Sequence, residues 1–294
     1  MINSRVLILG SSGFLGNAIF RELNKLCKVT HTGLKKKKFL LDKLKNLKKL
    51  MILNQFDYVI NCVAFTNVDK CEQQKTKAFN LNVQIIKNIL ELKKKYNLKF
   101  KFIHFSSDQV YNSKNLKYYN NENDCSKTFV NYYSKTKRIS EKLCLKEGKD
   151  QILIFRTNFI GKSYSKKKSF TDWLYTNIVN NNKISLAEDS FITPLRVNTI
   201  AKILGKIITG NFFKHGIYNL GSNKGMSKSE IGMYFIKKIN INYLNYDIKS
   251  INKLTKTKRP LNMMMSSKKF LKDFKFKLPT LLAELKLSVK EYEN

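Results

Sequence analysis

The run Val6-Leu7-Ile8-Leu9, followed at once by Gly10-x-x-Gly13-x-x-Gly16, constrains this chain more than any other feature. Four consecutive apolar residues read as a strand buried on both faces. Phe14, Leu15, Ala18, Ile19, Leu23 and Leu26 then recur at helical spacing. A strand that becomes a helix within a few residues needs backbone freedom at the turn, and glycine supplies it. The same turn offers the free N–H groups and positive dipole end of a helix to a ligand, an arrangement suited to pyrophosphate. Glycine triplets also occur in ordinary turns. This one stands between the required strand and the required helix, in a chain with only 12 glycines. Gly10, Gly13 and Gly16 are therefore assigned to a dinucleotide cofactor.

The strand-then-helix pattern continues. Lys28–Thr32, Asp57–Cys62, Lys101–Phe105 and Ile152–Phe155 read as strands. Helical patterns lie near Asp42–Asn54 and around Ala78, Leu81, Ile85 and Ile89. Alternation of this kind implies parallel pairing with crossover helices: an α/β fold of the Rossmann type, with a doubly wound parallel sheet. After Arg156 the alternation weakens. The expected division is an NAD(P)-binding domain over residues 1–156, with 190–221 returning to it. Residues 157–189 and 222–294 then form a smaller C-terminal α/β region for substrate.

The net charge of +35 raises the question of a nucleic-acid or membrane partner. Lysines are spread along the whole chain, beside abundant Asn, Ile, Phe and Tyr and only 3 prolines. That set reads as compositional bias, so no specific nucleic-acid partner is expected. No stretch approaches the ~20 apolar residues of a membrane span, and no secretory signal is visible. Cys27, Cys62, Cys71, Cys125 and Cys144 are scattered, without a Cys-x-x-Cys pair. Neither a disulfide framework nor a metal site is expected, and a cytoplasmic location fits.

A cofactor ribose is normally read at the end of the second strand. The sequence there is Thr30-His31-Thr32-Gly33-Leu34-Lys35, with no acid to take a 2′-hydroxyl. Thr32 and Lys35 are therefore assigned to the cofactor, which is read as NADPH, with NADH the alternative. Asp42 is a candidate for the adenine edge or for a helix cap.

Tyr133 and Lys137 stand four residues apart and share a face if that segment is helical. A nearby ammonium favours a phenolate, so Lys137 is expected to lower the Tyr133 pKa. Ser107 follows the strand ending at Phe105, where doubly wound folds place ligands, and its hydroxyl could reach a substrate carbonyl. Ser107, Tyr133 and Lys137 form the expected catalytic trio.

With these residues in view, the chain resembles the extended short-chain dehydrogenases acting on nucleotide sugars, and among them the dTDP-4-dehydrorhamnose reductase family. The likeness is carried by the glycine loop, by Ile60 to Glu72, by Ser106-Ser107-Asp108-Gln109-Val110-Tyr111, and by Tyr133 to Lys137. Phe155-Arg156-Thr157, Thr193-Pro194, Gly216-Ile217-Tyr218 and Arg259-Pro260-x-Asn262 recur in order. The resemblance implies that Phe14, Leu15, Ala64, Tyr133 and Lys137 face the cofactor, and it places Asn82 with them. It implies a reductase of a keto group on a nucleotide-linked deoxy sugar, in surface polysaccharide precursor synthesis of the dTDP-rhamnose kind. Ser107, Asp108, Gln109 and Asn158 would meet the substrate. Departures cluster on the sugar side: Gln109 replaces a tyrosine, Asn158-Phe159 a Ser-Trp pair, and Lys228 a tryptophan.

The long, basic downstream half suits a diphosphate-bearing substrate, and arginine is the better fork for phosphate oxygens. Arg259, before Pro260, is the candidate, with pairing to a surface carboxylate as its alternative role. An epimerase of the same family, which keeps its NAD, is the rival enzyme. Ser107-Asp108-Gln109 lacks the glutamate a dehydratase would carry. A non-catalytic NADP-binding regulatory subunit is the rival outside catalysis, and the intact trio speaks against it. A homodimer stays open.

Overall fold

In a computed structural model, residues 3–33, 44–125, 128–147, 149–240 and 242–293 are described. The first half runs β1 (Arg5–Leu9), α1 (Phe14–Leu23), β2 (Lys28–Thr32), α2 (Leu44–Leu53) and β3 (Tyr58–Asn61). Next come α3 (Val68–Gln73), α4 (Lys75–Phe79), a π-helical turn (Asn80–Gln84), α5 (Ile85–Lys95) and β4 (Lys101–Phe105). Then follow α6 (Tyr132–Glu147) and β5 (Ile152–Thr157). The second half contains β6 (Phe159–Ile160), α7 (Phe170–Val179), β7 (Ile184–Ala187), β8 (Phe191–Ile192), β9 (Leu195–Arg196), α8 (Val197–Thr209) and β10 (Gly216–Leu220). It ends with β11 (Met226–Ser227), α9 (Lys228–Ile239), β12 (Tyr246–Lys249), α10 (Ile251–Leu254), α11 (Lys268–Phe274) and α12 (Leu281–Glu293).

Six strands form one parallel sheet in the order β10-β5-β4-β3-β1-β2. The order reverses between β1 and β3, and crevices at such reversals are where doubly wound sheets bind ligands. Both faces are covered, as the apolar run at Val6–Leu9 requires. Val6 and Ile8 join α1, α8 and α11 on one face, while Leu7 and Leu9 join α2 and α5 on the other. A third core lies apart from the sheet and gathers Leu174, Ile178, Ile231, Phe235 and Leu285 from α7, α9 and α12.

Within 190–221, α8 packs on α1 and β10 pairs with β5, whereas β8 pairs with β11 and β9 with β6 outside the six-stranded sheet. The expected assignment of all of 222–294 to the substrate side needs one change. α11 places Phe270 and Phe274 in the sheet's own core, against Phe155. Among the described residues no helix is long and apolar enough to cross a membrane.

Candidate active site

The glycine loop is built as its sequence requires. Gly10 has φ +85°, a conformation that L side chains rarely adopt. A Cβ on Gly16 would stand 2.2 Å from the Gly10 carbonyl oxygen, so α1 starts pressed against the turn. Gly13 caps α1 with no side-chain hydrogen bond, and no acidic residue lies in the first turn. The Gly10 and Ser11 amides donate to the Thr32 carbonyl, which ties the loop to the end of β2. Thr32 Oγ1 is buried there without a partner among the described residues. These features fit a dinucleotide: a close-approach cradle and a helix start left for an anion. Lys35 and Asp42 lie outside the described residues.

A cleft of about 290 Å³ opens at the reversal point. Gly13, Phe14, Leu15 and Ala64 line it together with Ser107, Tyr133 and Lys137. Asp108, Gln109 and Asn158 line it too, so the expected catalytic trio and the expected substrate residues other than Arg259 converge on one space. Within it, Ser107 donates to Asp108 Oδ1 (3.1 Å), and Asn158 Nδ2 donates to Asp108 Oδ2 (2.5 Å). Burial pushes the Asp108 carboxyl up to about 6, held back by Asn158, Ser107 and the Lys228 charge.

Lys137 behaves otherwise than its sequence role suggests. Its ammonium donates to the Phe105 carbonyl (2.6 Å), and burial pushes its pKa down to about 8, with Glu141 opposing. Burial pushes the Tyr133 phenol above its ordinary value, a hydrogen bond with Ser107 opposes the shift, and Asp108 adds to it. The expected lowering of the Tyr133 pKa by Lys137 is therefore not what the structure shows. Desolvation dominates, and the phenol stays protonated at neutral pH.

Two expected assignments change with geometry. Asn82 does not line the cleft. Its Oδ1 accepts from the Phe65 amide (2.7 Å), and its Nδ2 donates to the Phe65 carbonyl (3.2 Å) and to Thr136 Oγ1 (2.9 Å). With its amide spent inside the protein, Asn82 positions the segment after β3 against the Tyr133–Lys137 helix. The π turn that carries it is a local irregularity of the kind found near functional sites. Arg259 also lies outside the cleft lining: Nη2 pairs with Asp69 Oδ2 (2.8 Å) and Nη1 donates to the Thr257 carbonyl (2.9 Å). The carboxylate-pairing role is the one the structure gives it.

Glu141 was not singled out from sequence. It is fully buried one turn beyond Lys137, on the same helical face. Its carboxylate accepts from Ser106 Oγ (2.5 Å), Arg138 Nη1 (2.7 Å), Arg156 Nε (2.8 Å) and Arg156 Nη2 (2.9 Å). The usable signal was the i, i+4, i+8 series Tyr133, Lys137, Glu141.

Residues 4–294 match the family described as the RmlD substrate binding domain. The spore coat polysaccharide biosynthesis protein SpsK of Bacillus subtilis is 27% identical over 227 residues, 76% of this chain and 75% of that one. A dTDP-4-dehydrorhamnose reductase of Aggregatibacter actinomycetemcomitans is 27% identical over 225 residues, 74% of this chain and 72% of that one. The crystal structure of dTDP-4-dehydrorhamnose reductase from Bacillus anthracis, in complex with NADP, superposes with TM-score 0.87 at 20% identity, covering 99% of this chain and 100% of that one. UDP-glucose 4-epimerase of Thermotoga maritima, with UDP-glucose, gives TM-score 0.82 at 15% identity, covering 98% of each chain. At such identities the structural matches show the fold.

Proposed function

Since this chain belongs to the RmlD substrate-binding-domain family, we propose that it is an NAD(P)H-dependent reductase of a keto group on a nucleotide-linked deoxy sugar, similar to dTDP-4-dehydrorhamnose reductase. The observation that carries the reading is one cleft that brings Ser107, Tyr133 and Lys137 to the glycine loop. The curated relatives include a reductase of this kind and a polysaccharide biosynthesis protein, which supports a place in surface polysaccharide precursor synthesis. NADPH is the inferred cofactor and NADH its alternative, supported by the NADP complex of a structural neighbour. When bound, it supplies the hydride.

This chain's own residues supply the rest. Ser107 orients the carbonyl by a hydrogen bond. Tyr133, kept protonated by burial, is the proton donor that a reduction consumes. Lys137, one turn along the same helix, is assigned the stabilisation of the phenolate left behind, for which its ammonium leaves the Phe105 carbonyl. The curated relatives include reductases, and these favour the reductase over the epimerase. The five scattered cysteines, without a Cys-x-x-Cys pair, support a reducing compartment such as the cytoplasm.

The test is Tyr133→Phe. It should keep NADPH binding and lose roughly 10²–10⁴-fold in turnover of a nucleotide-linked keto sugar. Near-normal turnover would remove Tyr133 from the chemistry. Equal rates on the free sugar and its nucleotide conjugate would remove the substrate class.

A further inference from the structure

A diphosphate in this cleft needs cations, and the arginine that sequence favoured is paired with Asp69. Lys137 is turned to the Phe105 carbonyl. Two other cations line the same cleft, Lys167 and Lys168, on the loop between β6 and α7. We infer that Lys167 and Lys168 form the diphosphate-binding edge of the cleft, facing the glycine loop across its mouth. The inference rests on the reading above, in which the cleft takes a dinucleotide and a nucleotide sugar, and it assigns their shared chemistry to named residues.

The loop is fixed at its base. Ser169 Oγ (2.7 Å) and Thr171 Oγ1 (3.1 Å) donate to the Gly161 carbonyl, and the Gly161 amide donates to Thr171 Oγ1 (3.0 Å). Asp172 completes a capping box with Ser169 and also accepts from the Ser163 amide (3.1 Å). The Arg21 guanidinium of α1 lies 4.3 Å from the centre of the Tyr164 ring, so the loop crosses the helix that begins at the glycine loop. Among the described residues neither Lys167 nor Lys168 has a carboxylate within ion-pair distance. Lys167 reaches solvent, yet protein packed beside it pushes its pKa down with no anion to offset the loss. Lysines are common everywhere in this chain. What distinguishes these two is a pinned loop, an active cleft and the lack of a partner.

The test is binding by the purified full-length chain. Wild type, the double variant Lys167→Gln/Lys168→Gln and the control Lys166→Gln are titrated by calorimetry with NADPH and, separately, with dTDP. The double variant should bind at least one of them about tenfold more weakly, with a deficit that shrinks as salt rises. Loss with NADPH assigns the edge to the cofactor's diphosphate, loss with dTDP to the sugar nucleotide's, and loss with both to a shared edge. Binding of both ligands within twofold of wild type at low salt overturns the inference. An equal loss in Lys166→Gln overturns it too, since the effect would then be one of general charge. A wild type that binds both ligands and reduces no keto sugar would instead sink the proposed function alone.

Discussion

Two arginine–carboxylate pairs flank the cleft, and they differ in almost every respect except chemistry. On the sheet side, Arg156 and Glu141 are 1% and 0% exposed. Burial alone would push the Glu141 carboxyl up, but the Arg156 charge and hydrogen bonds bring it below its ordinary value. The spare Arg156 N–H groups go to Tyr111 Oη (2.8 Å) and the Glu122 carbonyl (2.6 Å). On the outer side, Arg259 and Asp69 are 12% and 34% exposed and join segments 190 residues apart in sequence. A saturated, dry pair fixes geometry and cannot lose one member cheaply. A half-wet pair holds a loop and tolerates exchange. The first pair bonds Ser106, next to Ser107, and the second holds the segment before Pro260 to α3.

The largest effect belongs to Glu141→Gln. It leaves the Arg156 guanidinium buried with its main counter-charge gone, and should cost about 3–5 kcal/mol in urea unfolding. A loss under about 1 kcal/mol would make the two pairs equivalent. Asp108 stands next, where the two sides meet through Asn158 and Lys228. Its carboxyl is raised from 3.8 to about 6 in the folded chain. A raised folded pKa contributes stability that is present below the unfolded value and lost as pH rises through the folded one. Relative to Asp108→Asn, wild type should therefore lose on the order of 2 kcal/mol between pH 4 and pH 7. A difference in unfolding free energy that does not change with pH would place Asp108 in water. The smallest effect belongs to Arg259→Ala, within about 1 kcal/mol and weaker at high salt. A salt-insensitive loss above about 3 kcal/mol would show that pair to be as deeply committed as the inner one.

How much of this was legible without coordinates follows from where the information is local. The glycine loop, the five strands to Phe155 and the Tyr133–Lys137 spacing are short-range patterns, and each reads directly from neighbouring residues. Ser107 was legible because strand C-termini in a parallel sheet share one edge, while Ala64 and Asn158, which line the same cleft, came only with the family resemblance. Asn82 was placed with the cofactor by the family resemblance alone. Its partners Phe65 and Thr136 lie 17 and 54 residues away, and only the π turn explains how it reaches both. Arg259 misled for a similar reason: no local feature says that Asp69, 190 residues earlier, occupies it. Lys167 and Lys168 were hidden by composition, since a charge run in so basic a chain carries no information until a cavity is found behind it.

The edge position of β10 has a consequence for how the chain comes into being. β5 ends at Thr157 and its outer edge is paired only by Gly216–Leu220, ~60 residues later. During synthesis, the N-terminal part therefore emerges with β5 paired to β4 on one side and its outer edge open. The apolar faces that α8 and α11 will cover are also bare. Parallel pairing over such separations is slow, and bare strand edges invite association with other chains. Truncation before Leu220 should thus yield aggregates rather than a smaller cofactor-binding domain.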